Sequence, residues 1–127
     1  MTYLWVALGG ALGSVARYAC SGLAARWFGS GFPWGTLFVN VSGSFAIGLL
    51  AALVTADGRP LLGSDARAFA MVGVLGGFTT FSSFSLETLN LVRSGAVGAA
   101  AGNVALSLVL CLAGAWLGFA AATLLSR

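Results

Sequence analysis

Gly76-Gly77-Phe78-Thr79-Thr80-Phe81-Ser82-Ser83-Phe84-Ser85 lies inside the third of four apolar segments, where a plain membrane span carries leucine and valine. Adjacent glycines raise the entropic cost of a helix, and threonine hydroxyls compete for backbone hydrogen bonds, so this stretch predicts an interrupted helix. At membrane depth an interruption is tolerated only where the freed N–H and C=O groups face protein, water or an ion. Function is expected at this point.

The surrounding chain has the composition such a reading needs. Hydrophobic residues make up 59% and charged residues 7% of the 127, which excludes an ordinary soluble domain and predicts one transmembrane domain over residues 1–127. Spans are expected at about 3–25, 34–54, 66–91 and 96–125, each long enough to cross ~30 Å of hydrocarbon. The expected fold class is all-α, with four transmembrane helices and the third broken mid-membrane. Met-Thr-Tyr-Leu-Trp at the start lacks the basic region of a signal peptide, so the first span is expected to be retained. Six arginines without a lysine give a formal charge of +3, too sparse for a nucleic-acid footprint. With no histidine, and Asp57, Asp65 and Glu87 as the acids, acid–base catalysis and transition-metal binding have almost no residues to work with. The chain does not read as an enzyme. Cys20 and Cys111 fall inside apolar segments and read as small core residues rather than a disulfide.

Periodicity then assigns faces. In the first span Gly9, Gly13 and Arg17 recur every four residues, a stripe small enough for close helix contact. Arg17 ends that stripe, and a guanidinium within a span usually faces a cavity, a partner or the interface. Arg26, Trp27 and Phe28 read as an interfacial anchor. In the second span Thr36, Asn40, Ser44 and Gly48 form a polar stripe that suits either an interhelical seam or a pore lining. Asn40 stands out, because its amide offers two N–H donors that an anion can use and hydrocarbon cannot satisfy. The next connection, with Asp57, Arg59 and Pro60, reads as a polar turn. Past the interruption, Phe81 and Phe84 share one face, while Thr80, Ser83 and Glu87 share another. Glu87 fits either the far interface or a polar contact. Arg93-Ser94-Gly95 predicts a tight turn, and Asn103, Ser107, Cys111, Gly114 and Gly118 make a small and partly polar stripe on the fourth span.

Four spans put both termini on one side, with Arg59, Arg67 and Arg127; Arg26 and Arg93 lie on the other, with Arg17 nearer to it. So small an imbalance hardly biases orientation, and insertion both ways would let two copies form an antiparallel dimer. Amide, hydroxyl and phenyl groups line the candidate path. Neutral donors replace part of an anion's hydration without trapping it, and a phenyl ring offers an electropositive edge. Carbonyls freed at a helix break can hold a cation. Residues alone therefore lead to a small homodimeric membrane protein with a polar, anion-compatible path.

Three motifs carry a closer resemblance: Gly-Gly-Ala-Leu-Gly-Ser-Val-Ala-Arg-Tyr from Gly9 to Tyr18, Gly-Thr-Leu-Phe-Val-Asn from Gly35 to Asn40, and Gly-Gly-Phe-Thr-Thr-Phe-Ser-Ser-Phe-Ser-Leu-Glu from Gly76 to Glu87. In this order, over essentially the whole chain, the sequence resembles the small fluoride channels of bacteria and archaea, the Fluc or CrcB family. The resemblance implies a dual-topology antiparallel homodimer in the prokaryotic cell membrane, with two pores passing fluoride down its gradient to relieve toxicity. It implies that Phe81 and Phe84 are the ring pair beside the ion, Asn40 a pore donor, Ser82 and Ser83 nearby hydroxyls, and Arg17 a residue near the vestibule. The carbonyls of Gly76 and Thr79 would hold a central structural sodium ion. Ser107 falls where the family places a polar pore-side residue, whereas Cys111 and Ala115 replace hydroxyls of some relatives; Asn103, one turn earlier, can take over part of that track.

Two other classes compete. Small four-span multidrug exporters share the size but need a carboxylate in the first span, and residues 3–25 have none. A non-transporting scaffold would use the polar stripes only as packing seams.

Overall fold

A computed structural model describes residues 1–55 and 61–126; Asp57, Arg59, Pro60 and Arg127 lie outside the described residues. The elements are α1 (Thr2–Phe28), α2 (Trp34–Thr55), α3 (Ser64–Arg67), a π-helical segment (Ala68–Leu75), α4 (Gly76–Phe78), α5 (Phe81–Arg93) and α6 (Val97–Leu125), with no strand among the described residues. The segments from Ser64 to Arg93 follow one another as a single 30-residue rod. The protein is an all-helical, multi-pass membrane protein.

Three rods are long and apolar enough to cross a bilayer: Trp34–Val54, Ser64–Arg93 and Val97–Leu125. Helix α1 has the length, 27 residues or about 40 Å at 1.5 Å per residue, but is less apolar because glycine, alanine, serine and Arg17 take many of its positions. Those small residues serve contact. Gly9 and Gly13 are its buried residues and face the π-helical segment. A Cβ on Gly13 would overlap the Val74 carbonyl and stand 2.8 Å from the Phe78 nitrogen, so backbone meets backbone here.

Helix α2 packs chiefly on α6. The buried residues of α6 are Ala100, Asn103, Ser107, Gly114, Gly118 and Ala122, which follows the small stripe expected from the sequence, with Cys111 half-buried beside it. Away from this seam the helices expose bulky apolar groups. Tyr18 is 83% exposed and Leu112 and Trp116 71% each, a surface suited to lipid rather than water. The α5–α6 turn closes as its glycine predicts, with Gly95 at φ 84 and the Ala96 N–H donating to the Leu91 carbonyl at 2.9 Å.

Most of the stretch expected to interrupt the helix is itself helical. Gly76 and Gly77 are helical, in α4, and only Thr79 (φ −82, ψ 155) and Thr80 (φ −154, ψ 116) are extended. Gly77 acts instead as a contact residue: a Cβ there would stand 2.6 Å from the Gly10 carbonyl oxygen, whereas one on Gly76 would meet the Met71 carbonyl oxygen at an ordinary 3.9 Å. Ahead of α4, eight residues are π-helical, a widened form that is rare outside functional regions.

Candidate functional site

Thr79 still closes the last helical bond of the preceding turn, and from Thr80 the backbone leaves the ladder and needs other partners. The Thr79 N–H donates to the Leu75 carbonyl at 3.0 Å, and the Thr79 hydroxyl donates to the same oxygen at 2.9 Å. Thr80 caps α5: its Oγ1 accepts the Ser83 N–H at 3.1 Å. Its own backbone turns to α2. The Thr80 N–H donates to Asn40 Oδ1 at 2.7 Å, and Asn40 Nδ2 donates to the Thr80 carbonyl at 3.0 Å. The Asn40 amide thus pairs with Thr80 as a neighbouring strand would, and one of its two N–H groups is left over. Removing the amide leaves two backbone groups unpaired. Asn40→Ala is expected to lower stability by about 2–4 kcal/mol, read as a drop in Tm in detergent; an unchanged Tm would mean that the pairing carries no weight.

An open cleft of about 330 Å³ lies against this point. Asn40 and Ser44 from α2, Thr79, Thr80, Phe81 and Phe84 from the third rod, and Ser107 and Cys111 from α6 line it. The Phe81 and Phe84 rings are 5.2 Å apart between centroids and tilted by 54°, so ring edges as well as faces are presented. They differ in surroundings: Phe84 is 8% exposed and Phe81 74%.

The remaining expected residues stand around the cleft. Ser82 is exposed, with its hydroxyl 3.2 Å from Thr80 Oγ1, and Ser83 Oγ accepts from that same hydroxyl at 3.2 Å; neither lines the cleft. Asn103 is fully buried between α5 and α6, donating to Thr88 Oγ1 at 3.0 Å and accepting from Ser107 Oγ at 3.5 Å. Arg17 is half-buried, and its Nε donates to the Gly77 carbonyl at 3.0 Å. The carbonyl of Thr79, which lies outside the helices, has no hydrogen-bond partner among the described residues. No group of three or more His, Cys, Asp or Glu that could hold a metal occurs among those residues either. A cation here would be held by backbone oxygens, a donor set suited to a hard ion.

One contact escaped the sequence reading. Thr36 Oγ1 donates to Glu87 Oε1 at 2.8 Å, tying the start of the α2 stripe to the polar face of α5, while Glu87 Oε2 is buried without a hydrogen-bond partner among the described residues. Both border a second open cleft of about 510 Å³ beside Ser21, Ser30 and Asn90. The available signal was that each residue ends a polar stripe on its own helix.

The family profile described as CrcB-like protein, Camphor Resistance (CrcB), matches residues 4–119. Among curated relatives, the fluoride-specific ion channel FluC of Opitutus terrae is 64% identical over 120 residues, covering 94% of this chain and 91% of that protein. The protein of the same name from Rhodospirillum rubrum is 57% identical over 127 residues, covering 100% and 98%. That of Methylocella silvestris is 52% identical over 127 residues, covering 100% and 97%.

Proposed function

The chain belongs to the CrcB-like family, which comprises fluoride ion channels and not enzymes, and on that footing we propose that it passes fluoride down its electrochemical gradient and so relieves fluoride toxicity. The observation that carries this reading is the 330 Å³ cleft, which gathers Asn40, Phe81, Phe84 and Ser107 with no charged side chain among the described residues on its wall. Fluoride entering it exchanges water for the spare Asn40 N–H, the positive edges of two rings and the Ser107 hydroxyl, once that hydroxyl turns from its long 3.5 Å bond to Asn103. Neutral donors of this kind lower the dehydration cost without holding the ion as a cation would. Ser82, Ser83 and, one turn below Ser107, Asn103 extend the supply of polar groups along α5 and α6.

A cleft open on one side needs a second wall. In the proposed assembly a second copy, inserted upside down, supplies it, with α1 as a fourth span and the interrupted third rods meeting at mid-membrane. Two such clefts give two pores. The Thr79 carbonyl, without a partner among the described residues, and that of Gly76 would hold a sodium ion shared at the centre; bound there, it would supply positive charge to these oxygens.

Purified protein in liposomes tests this. Fluoride efflux well above that of empty liposomes, with chloride at background, is expected. Replacing sodium by N-methylglucamine during purification is expected to weaken both the dimer and the flux. No fluoride efflux, or equal passage of chloride, would overturn the channel reading, and a dimer and flux indifferent to sodium would overturn the metal assignment.

A further inference from the structure

The interruption is held from two sides, and one of the holders is charged. Within Gly76 to Thr79, the Gly77 carbonyl accepts the Nε–H of Arg17 at 3.0 Å. One residue past Thr79, Asn40 secures both backbone groups of Thr80. Thr79 is therefore fixed between an anchor on α1 and an anchor on α2. Side chains on a helix lean toward its N-terminus, and Gly13, one turn before Arg17, is pressed against Val74 and Phe78. Arg17 thus lies back along the glycine seam onto Gly77, and the Gly77 carbonyl is its acceptor among the described residues.

We propose that Arg17 is a positioning residue: its Nε–H, more than its charge, holds the end of α4 against α1 and thereby sets where α5 begins and how Phe81 and Phe84 present their edges. This rests on the channel reading above and departs from the expectation that Arg17 serves a vestibule by charge. The chemistry of the clamp is specific. Glutamine places its Nε2 as many bonds from Cα as the arginine Nε, so Arg17→Gln keeps a donor at the Gly77 carbonyl and removes the charge. Arg17→Lys keeps the charge and moves the donor one bond farther out. Arg17→Met keeps the length and has neither.

Fluoride efflux and Tm in detergent are to be measured for the wild type and the three variants. Arg17→Gln is expected to stay within about threefold of wild-type efflux and to keep its Tm, while Arg17→Met loses at least about tenfold with a lowered Tm, the size of one hydrogen bond to a charged donor. Arg17→Lys is expected to fall between them. Efflux in Arg17→Gln as low as in Arg17→Met, with Arg17→Lys near the wild type, would overturn the clamp in favour of charge; wild-type efflux in Arg17→Met would overturn it outright. Should Arg17→Met fail to fold, the order of Gln above Lys supports the proposal and the reverse order sinks it. A wild type without fluoride efflux would instead count against the channel reading, and the Tm order would still decide the clamp.

Discussion

Phe81→Ile is expected to lower fluoride efflux by about two orders of magnitude, the usual scale for deleting one preorganised electrostatic contact in a dry site. Isoleucine retains apolar bulk and loses the electropositive ring edge. Phe84→Ile is expected to act as strongly, because the two rings stand 5.2 Å apart and border one cleft. The two variants should part company in stability. Phe84 is 8% exposed and Phe81 74%, so a shape change at Phe84 costs up to about 1.5 kcal/mol of packing, whereas Phe81→Ile costs less, giving up mainly the ring contact with Phe84. Efflux from liposomes and Tm in detergent measure the two effects separately. If both variants conducted like the wild type, the rings would be packing groups and the scaffold reading would return.

Gly118→Val is expected to abolish folded protein. A Cβ at this position would overlap the Phe45 carbonyl, and the same crowding occurs in the other direction, where Gly48 meets the Ala115 carbonyl. Overpacking against movable side chains costs about 1–3 kcal/mol, but these neighbours are backbone and cannot turn aside. The two helices, α2 and α6, would have to separate along the seam where Gly114 and Gly118 meet Val41 and Phe45. Gly102 is the control, since a Cβ there meets nothing within 4 Å. Gly102→Ala is expected to fold and to gain roughly 0.5–1 kcal/mol in helix propensity. Size-exclusion profiles distinguish the outcomes: a monodisperse Gly118→Val would show that the seam relaxes far more than its geometry allows.

Features set by local pattern were legible in advance. The α6 stripe became its buried face, Gly9 and Gly13 became a contact, and Gly95 took the left-handed turn. Features set by distant partners were not. Gly76 and Gly77 read as helix breakers, yet both are helical, and α1 comes close enough to Gly77 to need its bare backbone. The π-helical stretch Ala-Phe-Ala-Met-Val-Gly-Val-Leu has the composition of any apolar span. Asn40 read as a free donor, and part of its amide is taken by Thr80, 40 positions away. The bond between Thr36 and Glu87 joins residues 51 positions apart, beyond the reach of periodicity within one helix.

The pairing of Thr80 with Asn40 and of Gly77 with Arg17 also limits how the motif can be moved. Residues 76–87 do not hold their shape by their own composition; the extended pair at Thr79 and Thr80 needs an amide from α2 and a guanidinium from α1 at fixed heights. Grafted into another apolar helix, the same letters would find no such neighbours and would close into an ordinary ladder, since nothing else in lipid satisfies the freed groups. The site is therefore a property of three helices at once, and a transplant must carry Arg17 and Asn40 on their own helices or carry nothing.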